Sequence, residues 1–124
     1  MTLILFHTGA VLTASELTVK MLAMYTRNAI LPDFSFFLLG PRGTGKTTWL
    51  RQALPNATSY DLLAESEMVR LARDPERFHA EVSALPDGTW VVVDEVQRLP
   101  ALLDVVHRLI ARDGHRIRFA LTGS

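Results

Sequence analysis

The sequence predicts an α/β fold, a mostly parallel sheet covered by helices on both faces, and three observations carry that expectation. The first is Gly40-Pro41-Arg42-Gly43-Thr44-Gly45-Lys46-Thr47, set between the apolar run Phe34–Leu39 and the helix-competent stretch Thr47–Leu54. Strand, glycine-rich loop and helix in that order make up the G-x-x-x-x-G-K-[ST] phosphate-binding loop, or P-loop. The second is Thr89-Trp90-Val91-Val92-Val93-Asp94-Glu95, a β-branched run that ends in two adjacent carboxylates. The third is that Phe34–Leu39 does not alternate polar with apolar residues. A continuous apolar run marks a strand buried on both faces, as in a parallel sheet between helices.

Composition sets the bounds. The 124 residues suffice for one small domain with one core. Thirteen Lys and Arg balance thirteen Asp and Glu, so no global field favours nucleic acid. There is no cysteine, which excludes a disulfide framework and cysteine metal sites and fits a cytoplasmic location. No apolar run approaches the roughly 20 residues of a membrane span. The apolar start Met1–Phe6 has no basic residues before it, so no secretory signal is expected there.

The remaining elements follow in order. Residues 1–12 read either as a short strand or as a segment outside the domain, with Met21 and Met24 as alternative starts. Thr13-Ala14-Ser15-Glu16 has the form of a capping box, and Leu17, Met21, Leu22 and Tyr25 recur at helical spacing. A helix is therefore expected from about Ala14 to Asn28, before Leu31-Pro32. Its Met and Tyr stripe reads as packing, with an adenine-side contact by Tyr25 or Arg27 as the alternative. The P-loop helix is expected to stop at Leu54-Pro55-Asn56. Ala57–Leu62 reads as a second, more polar strand near an edge.

Residues 65–84 predict two short helices. Met68, Leu71 and Ala72 are expected to face inward on the first. Asp74-Pro75 supplies an N-cap and a first-turn proline for the second, with Phe78 and Val82 as its apolar pair. Arg70, Arg73 and Arg77, interspersed with Glu65, Glu67, Asp74 and Glu76, read as a solvated face. Pro86-Asp87-Gly88 is a turn, and Val96–Pro100 a loop. Leu99, Leu102, Leu103, Val106, Leu109 and Ile110 give one apolar face to a helix from about Pro100 to Arg112. His107 on that helix reads as a packed or surface residue. Asp113-Gly114 ends it, and Arg116–Ser124 is the last strand.

The chemistry concentrates at two of these places. The glycines let backbone N–H groups approach phosphate oxygens, and those groups lead into a helix N-terminus with its partial positive charge. Nucleotide contacts are expected from Gly40, Pro41, Arg42, Gly43, Thr44, Gly45, Lys46, Thr47 and Thr48. Lys46 would reach the β- and γ-phosphates, and Thr47 would sit on Mg²⁺. In α/β sheets ligands bind beyond the carboxyl ends of the strands, where the second motif places its acids. Asp94 would hold the Mg²⁺, and Glu95 would orient and deprotonate the attacking water. The competing reading, Asp94 capping a turn and Glu95 as surface charge, loses weight because a P-loop stands upstream. Thr122 and Ser124 are expected at the same edge.

Three stretches in this order, Gly40–Thr48, Val91–Pro100 (Val-Val-Val-Asp-Glu-Val-Gln-Arg-Leu-Pro) and Arg118–Ser124 (Arg-Phe-Ala-Leu-Thr-Gly-Ser), carry a resemblance. The chain resembles the N-terminal AAA-type ATPase domain of a prokaryotic family of largely uncharacterised ATP-binding proteins. The resemblance covers about residues 24–124 and leaves residues 1–23 as an N-terminal extension and the start of a leading helix. It implies a three-layer α/β/α domain with the P-loop strand near the middle of the sheet, and ATP and Mg²⁺ as cofactors. Lys46 and Thr47 match Walker A, and Asp94 and Glu95 match Walker B. Thr122 or Ser124 matches the polar sensor at the end of the fourth strand, and the similarity does not choose between them.

Members of that family usually continue into a lid, a linker and a C-terminal domain of unknown function. No sensor-2 element, lid or recognisable arginine finger is present here. Phe34–Leu39 calls for neighbours on both edges, yet only three other strong strands occur, and the family order places the missing neighbour downstream. The chain is thus expected to be the front part of a longer protein, or a truncated gene product, with weak ATP binding and poor hydrolysis alone. The expected partners are nucleotide, a downstream domain or protein, and a second copy of the chain, with no membrane and no support for nucleic acid. The leading expectation is a Mg²⁺-dependent ATPase module. A P-loop kinase acting on a small molecule, and a nucleotide-gated binding module with little hydrolysis, stand as alternatives. The acid that follows Asp94 argues against the kinase by favouring water as nucleophile, and no Asn-Lys-x-Asp tetrad supports a GTPase.

Overall fold

The apolar and β-branched runs lie side by side as strands of one sheet. The computed structural model describes residues 2–7, 10–13, 31–41, 43 and 45–124. The chain passes through β1 (Thr2–His7), β2 (Ala10–Thr13), β3 (Phe36–Leu39), α1 (Lys46–Ala53) and β4 (Thr58–Asp61). It continues through α2 (Glu65–Arg73), α3 (Pro75–Ser83), β5 (Trp90–Asp94), a 3-10 turn (Val96–Arg98), α4 (Pro100–Asp113) and β6 (Arg118–Gly123). The strand order is β2-β1-β3-β6-β5-β4. The four strands β3, β6, β5 and β4 run parallel to one another. Beyond β3, β1 is parallel to it and β2 antiparallel to β1. The helix expected over Ala14–Asn28, with Tyr25 and Arg27, lies outside the described residues, and Thr13, the first residue of its supposed capping box, ends β2.

The expected parallel α/β sheet is therefore present, with the P-loop strand inside it and β4 at an edge. The expected source of the second neighbour needs correction. The second neighbour of the P-loop strand, sought downstream, is supplied by β1, whose Thr2 to Leu5 pair with Phe36 to Leu39. A strand flanked on both sides has partners for both rows of its backbone N–H and C=O groups.

Continuous apolar runs arise because successive side chains enter two different cores. Val91 and Val93 of β5, with Phe119 and Leu121 of β6, point to the face covered by α2, α3 and α4, where Leu71, Phe78, Val82, Leu102 and Val106 are buried. Val92 and Ala120 point the other way, to Phe36, Leu38, Trp49 and Leu50 beneath α1. Burying an aliphatic or aromatic side chain of this size contributes roughly 1.5–3 kcal/mol. On α2, Leu71 is buried and Met68 packs beside it, but Ala72 is exposed rather than inward as expected. In a helix of nine residues the contact stripe is narrow, and Ala72 lies about 100° round the helix from Leu71. Asp74 stands at the N-cap of α3 without a side-chain cap bond, and Pro75 occupies the first turn as expected. Val96–Pro100, expected as a loop, contains the 3-10 turn. No helix among the described residues is long and apolar enough to cross a membrane.

A polar cluster ties α2, α3 and the edge strand together. Tyr60 Oη donates to Glu81 Oε1 at 3.0 Å, and Arg70 Nη1 donates to Glu81 Oε2 at 2.6 Å. Arg70 also pairs with Glu67 at 2.8 Å, so it is committed within the cluster rather than simply solvated. The Arg70 guanidinium holds the Glu81 carboxyl below the usual carboxylate range, with burial opposing it. A depressed folded-state pKa contributes stability above the unfolded value of about 4.3, lost as pH falls through the folded value. Glu81→Gln is expected to lower the unfolding free energy by about 1 kcal/mol at pH 7, a size typical of a partly exposed charged hydrogen bond. Urea titrations should show that difference shrinking as the pH is brought below about 4.

Candidate functional site

Strand register assembles the site before any side chain does. Leu39 of β3 pairs with Gly123 of β6, and Leu121 pairs with Val93 of β5, so the three carboxyl ends finish level. The Gly40 N–H donates to the Gly123 carbonyl at 3.2 Å, which pins the start of the P-loop to the end of β6. Gly43 and Gly45 then adopt φ of 80° and 93°, a region that side chains with a Cβ rarely enter. Gly45 is the N-cap of α1, so Lys46 opens the helix directly from the loop.

Lys46 is 6 % exposed, and its ammonium donates to the carbonyls of Gly40 and, at 3.2 Å, of Pro41. A cavity of about 260 Å³ opens here, lined by Pro41, Gly43, Gly45, Lys46, Thr47, Thr48, Leu63 and Glu95. Arg42 and Thr44 lie outside the described residues. Larger clefts, of about 700 Å³ beside Arg73 and Arg77 and about 430 Å³ at the amino ends of β4 and β5, lie away from this rim. Chemistry, not size, singles out the P-loop cavity.

Both carboxylates of the second motif reach the same rim. Asp94 Oδ1 accepts from Thr122 Oγ1 at 3.0 Å and from Thr47 Oγ1 at 3.4 Å. Burial pushes the Asp94 carboxyl up, and the hydrogen bond from Thr122 pulls the other way; the charge of Asp61 adds to the rise, while Thr47 and Arg51 oppose it. Thr122 is 1 % exposed, and its oxygen also accepts the Glu95 N–H at 2.9 Å. One hydroxyl therefore serves the side chain of Asp94 and the backbone of Glu95.

Glu95 is 5 % exposed and is the one non-glycine with positive φ among the described residues, at 60°. That left-handed geometry costs roughly 1–2 kcal/mol. It turns the chain sharply out of β5 into the 3-10 turn. The Glu95 Oε2 atom accepts from Gln97 Nε2 at 2.5 Å and from Ser124 Oγ at 2.8 Å. Thr122 and Ser124, left as alternatives by the sequence, thus have different partners, Thr122 on Asp94 and Ser124 on the Glu95 carboxylate.

The oxygen set fits a hard divalent cation. Thr47 and Asp94 offer a hydroxyl and a carboxylate side by side, donors suited to Mg²⁺. Among the described residues no group of three or more His, Cys, Asp or Glu gathers to cage an ion. An ion here would take its remaining ligands from phosphate and water, as Mg²⁺ commonly does.

A family model described as an AAA domain matches residues 33–124. The chain belongs to this AAA-domain family. Membership makes the AAA domain a nucleotide-binding module of the ATPase type. The match takes in the P-loop, Asp94-Glu95 and β6, and leaves β1 and β2 outside it. A comparison with curated proteins found no match.

Three residues of the AAA domain's rim escaped the sequence reading. Asp61 pairs in register with Asp94 at the end of β4, and an acid next to the last residue of the strand expected over Ala57–Leu62 was the available signal. Leu63 lines the cavity although it is 42 % exposed, and Gln97 touches Glu95 from a segment expected to be a plain loop. Thr122→Val keeps the side-chain shape and removes both hydrogen bonds of the buried hydroxyl. It is expected to cost about 1–3 kcal/mol of stability by leaving the Glu95 N–H unpaired, read by urea denaturation without nucleotide.

Proposed function

We propose that the AAA domain binds ATP with Mg²⁺ on Gly40–Thr48 and hydrolyses it with water activated by Glu95. One observation carries the reading. A buried lysine and a buried glutamate line the same cavity, and a threonine and an aspartate within hydrogen-bond distance stand beside it. Catalysis of phosphoryl transfer is mostly positioning and charge stabilisation, and these are the groups it needs.

Each residue has a distinct task. The backbone N–H groups around Gly43 and Gly45, with the N-terminus of α1, cradle phosphate oxygens. Lys46 exchanges its carbonyl partners on Gly40 and Pro41 for the β- and γ-phosphate oxygens. Thr47 and Asp94 would hold the cation, and its chemistry there would be to neutralise charge developing on those oxygens. Glu95 borders the phosphate cavity and accepts a proton from the water it orients. Thr122 keeps Asp94 and Glu95 in a constant relation. We further propose that hydrolysis is coupled to a downstream domain or protein partner in the cytoplasm, on the strength of the resemblance and the absence of cysteine.

Lys46→Ala is expected to abolish nucleotide binding in equilibrium titrations with a fluorescent ATP analogue. Glu95→Gln should leave that binding intact and slow phosphate release, measured without an added acceptor, by a factor of about 100 or more, as loss of a general base does. Full turnover in Glu95→Gln would assign the base elsewhere. Phosphate appearing only when a small-molecule acceptor is added would replace hydrolysis by group transfer.

A further inference from the structure

The rim contains an arrangement that phosphate and metal binding do not explain. Two side chains from different elements converge on a single oxygen, Glu95 Oε2, Gln97 Nε2 at 2.5 Å and Ser124 Oγ at 2.8 Å. The two donor atoms are themselves 3.5 Å apart. Gln97 and Ser124 are both exposed, so core packing does not hold them there.

Backbone geometry sets the glutamine in place. The 3-10 turn is anchored by the Arg98 N–H on the Glu95 carbonyl at 3.0 Å and by Val96, which is buried. On its other side the Gln97 amide oxygen lies against Gly123. A Cβ at Gly123 would meet that oxygen at 3.1 Å and Leu39 Cδ2 at 2.9 Å. The glycine of Leu-Thr-Gly-Ser therefore makes room for the amide, and the amide nitrogen faces the carboxylate, which needs donors.

We infer that Gln97 is a positioning residue for Glu95, with Ser124 as the second donor of the same grip. The inference rests on the reading of Glu95 as the base. A glutamate has three rotatable side-chain bonds, and its backbone here is already in a costly conformation. Two charge-assisted hydrogen bonds on one oxygen hold the carboxylate at the wall of the phosphate cavity. A base that drifts by about 1 Å loses on the order of a hundred-fold in rate.

The test compares the full chain with Gln97→Ala, Ser124→Ala, Glu95→Gln and the Gln97→Ala/Glu95→Gln double variant, for phosphate release, ATP-analogue binding and Tm. Gln97→Ala should lower kcat on the order of a hundred-fold, with nucleotide affinity and Tm unchanged. Ser124→Ala should lower kcat in the same direction. In the Glu95→Gln background the second substitution should cost nothing further, because the two residues act as one unit. Wild-type kcat in Gln97→Ala, or a loss shared by affinity and Tm, or a further loss in the double variant, would overturn the inference. Glu95→Gln losing turnover while Gln97→Ala keeps it removes only the grip, whereas Glu95→Gln keeping turnover removes the base with it. A readout independent of turnover is the ¹⁵N NMR signal of the Gln97 side-chain amide. It should move in Glu95→Ala, and an unmoved signal would overturn the grip directly.

Discussion

The parallel register of β3, β6 and β5 is the constraint on which the rest of this structure depends. Leu39 beside Gly123, and Leu121 beside Val93, bring three carboxyl ends to one level. From that level the P-loop leaves, Thr122 stands, and Asp94 and Glu95 emerge. Slipping one strand by a single residue would turn each of its side chains to the opposite face. Val91 and Val93 would leave the core they share with Phe119 and Leu121, and Asp94 would turn away from Thr122. Packing on both faces of the sheet therefore sets the register, and the register sets the site.

Polar groups at the rim are held by one another as much as by the core. Thr122 is nearly inaccessible, and its hydroxyl is engaged as donor to Asp94 and acceptor from Glu95. A second buried hydroxyl, Ser35, accepts the Phe119 N–H at 2.9 Å and joins the approach to β3 to the start of β6. Buried hydroxyls carry a desolvation cost unless bonded, so both are informative about where the fold tolerates polarity. The costly left-handed turn at Glu95 is retained within such a network. Backbone strain of this kind clusters where a side chain must be aimed. Here it falls at Glu95, which lines the same cavity as Lys46.

Much of this was legible in the residues, and the exceptions share a cause. The P-loop is a local device: its glycines, lysine and threonine are consecutive, so spacing alone revealed them. Val91 to Val93 announced burial on both faces because no polar residue interrupts them. Pro55 and Pro100 marked a helix end and a helix start for reasons internal to proline. By contrast, Asp61 becomes notable only because β4 pairs with β5 at Asp94. The edge of β3 is covered by β1, a partner more than thirty residues upstream. Ala72 looked inward on spacing, but the breadth of a helix face depends on what packs against it. Gln97 looked like a loop residue because nothing in Val-Gln-Arg-Leu-Pro encodes the left-handed Glu95 before it.

The amino-acid sequence by itself determined the layer architecture, the phosphate loop and the two acids at a strand end. Each is written in contiguous residues whose backbone preferences and hydrophobicity act locally. Only the tertiary structure decided which hydroxyl meets which carboxylate, with Thr122 on Asp94 and Ser124 with Gln97 on Glu95. The two hydroxyl–carboxylate pairings join residues 28 and 29 positions apart. They exist because hydrogen bonds of about 3 Å require strands to be set in register first.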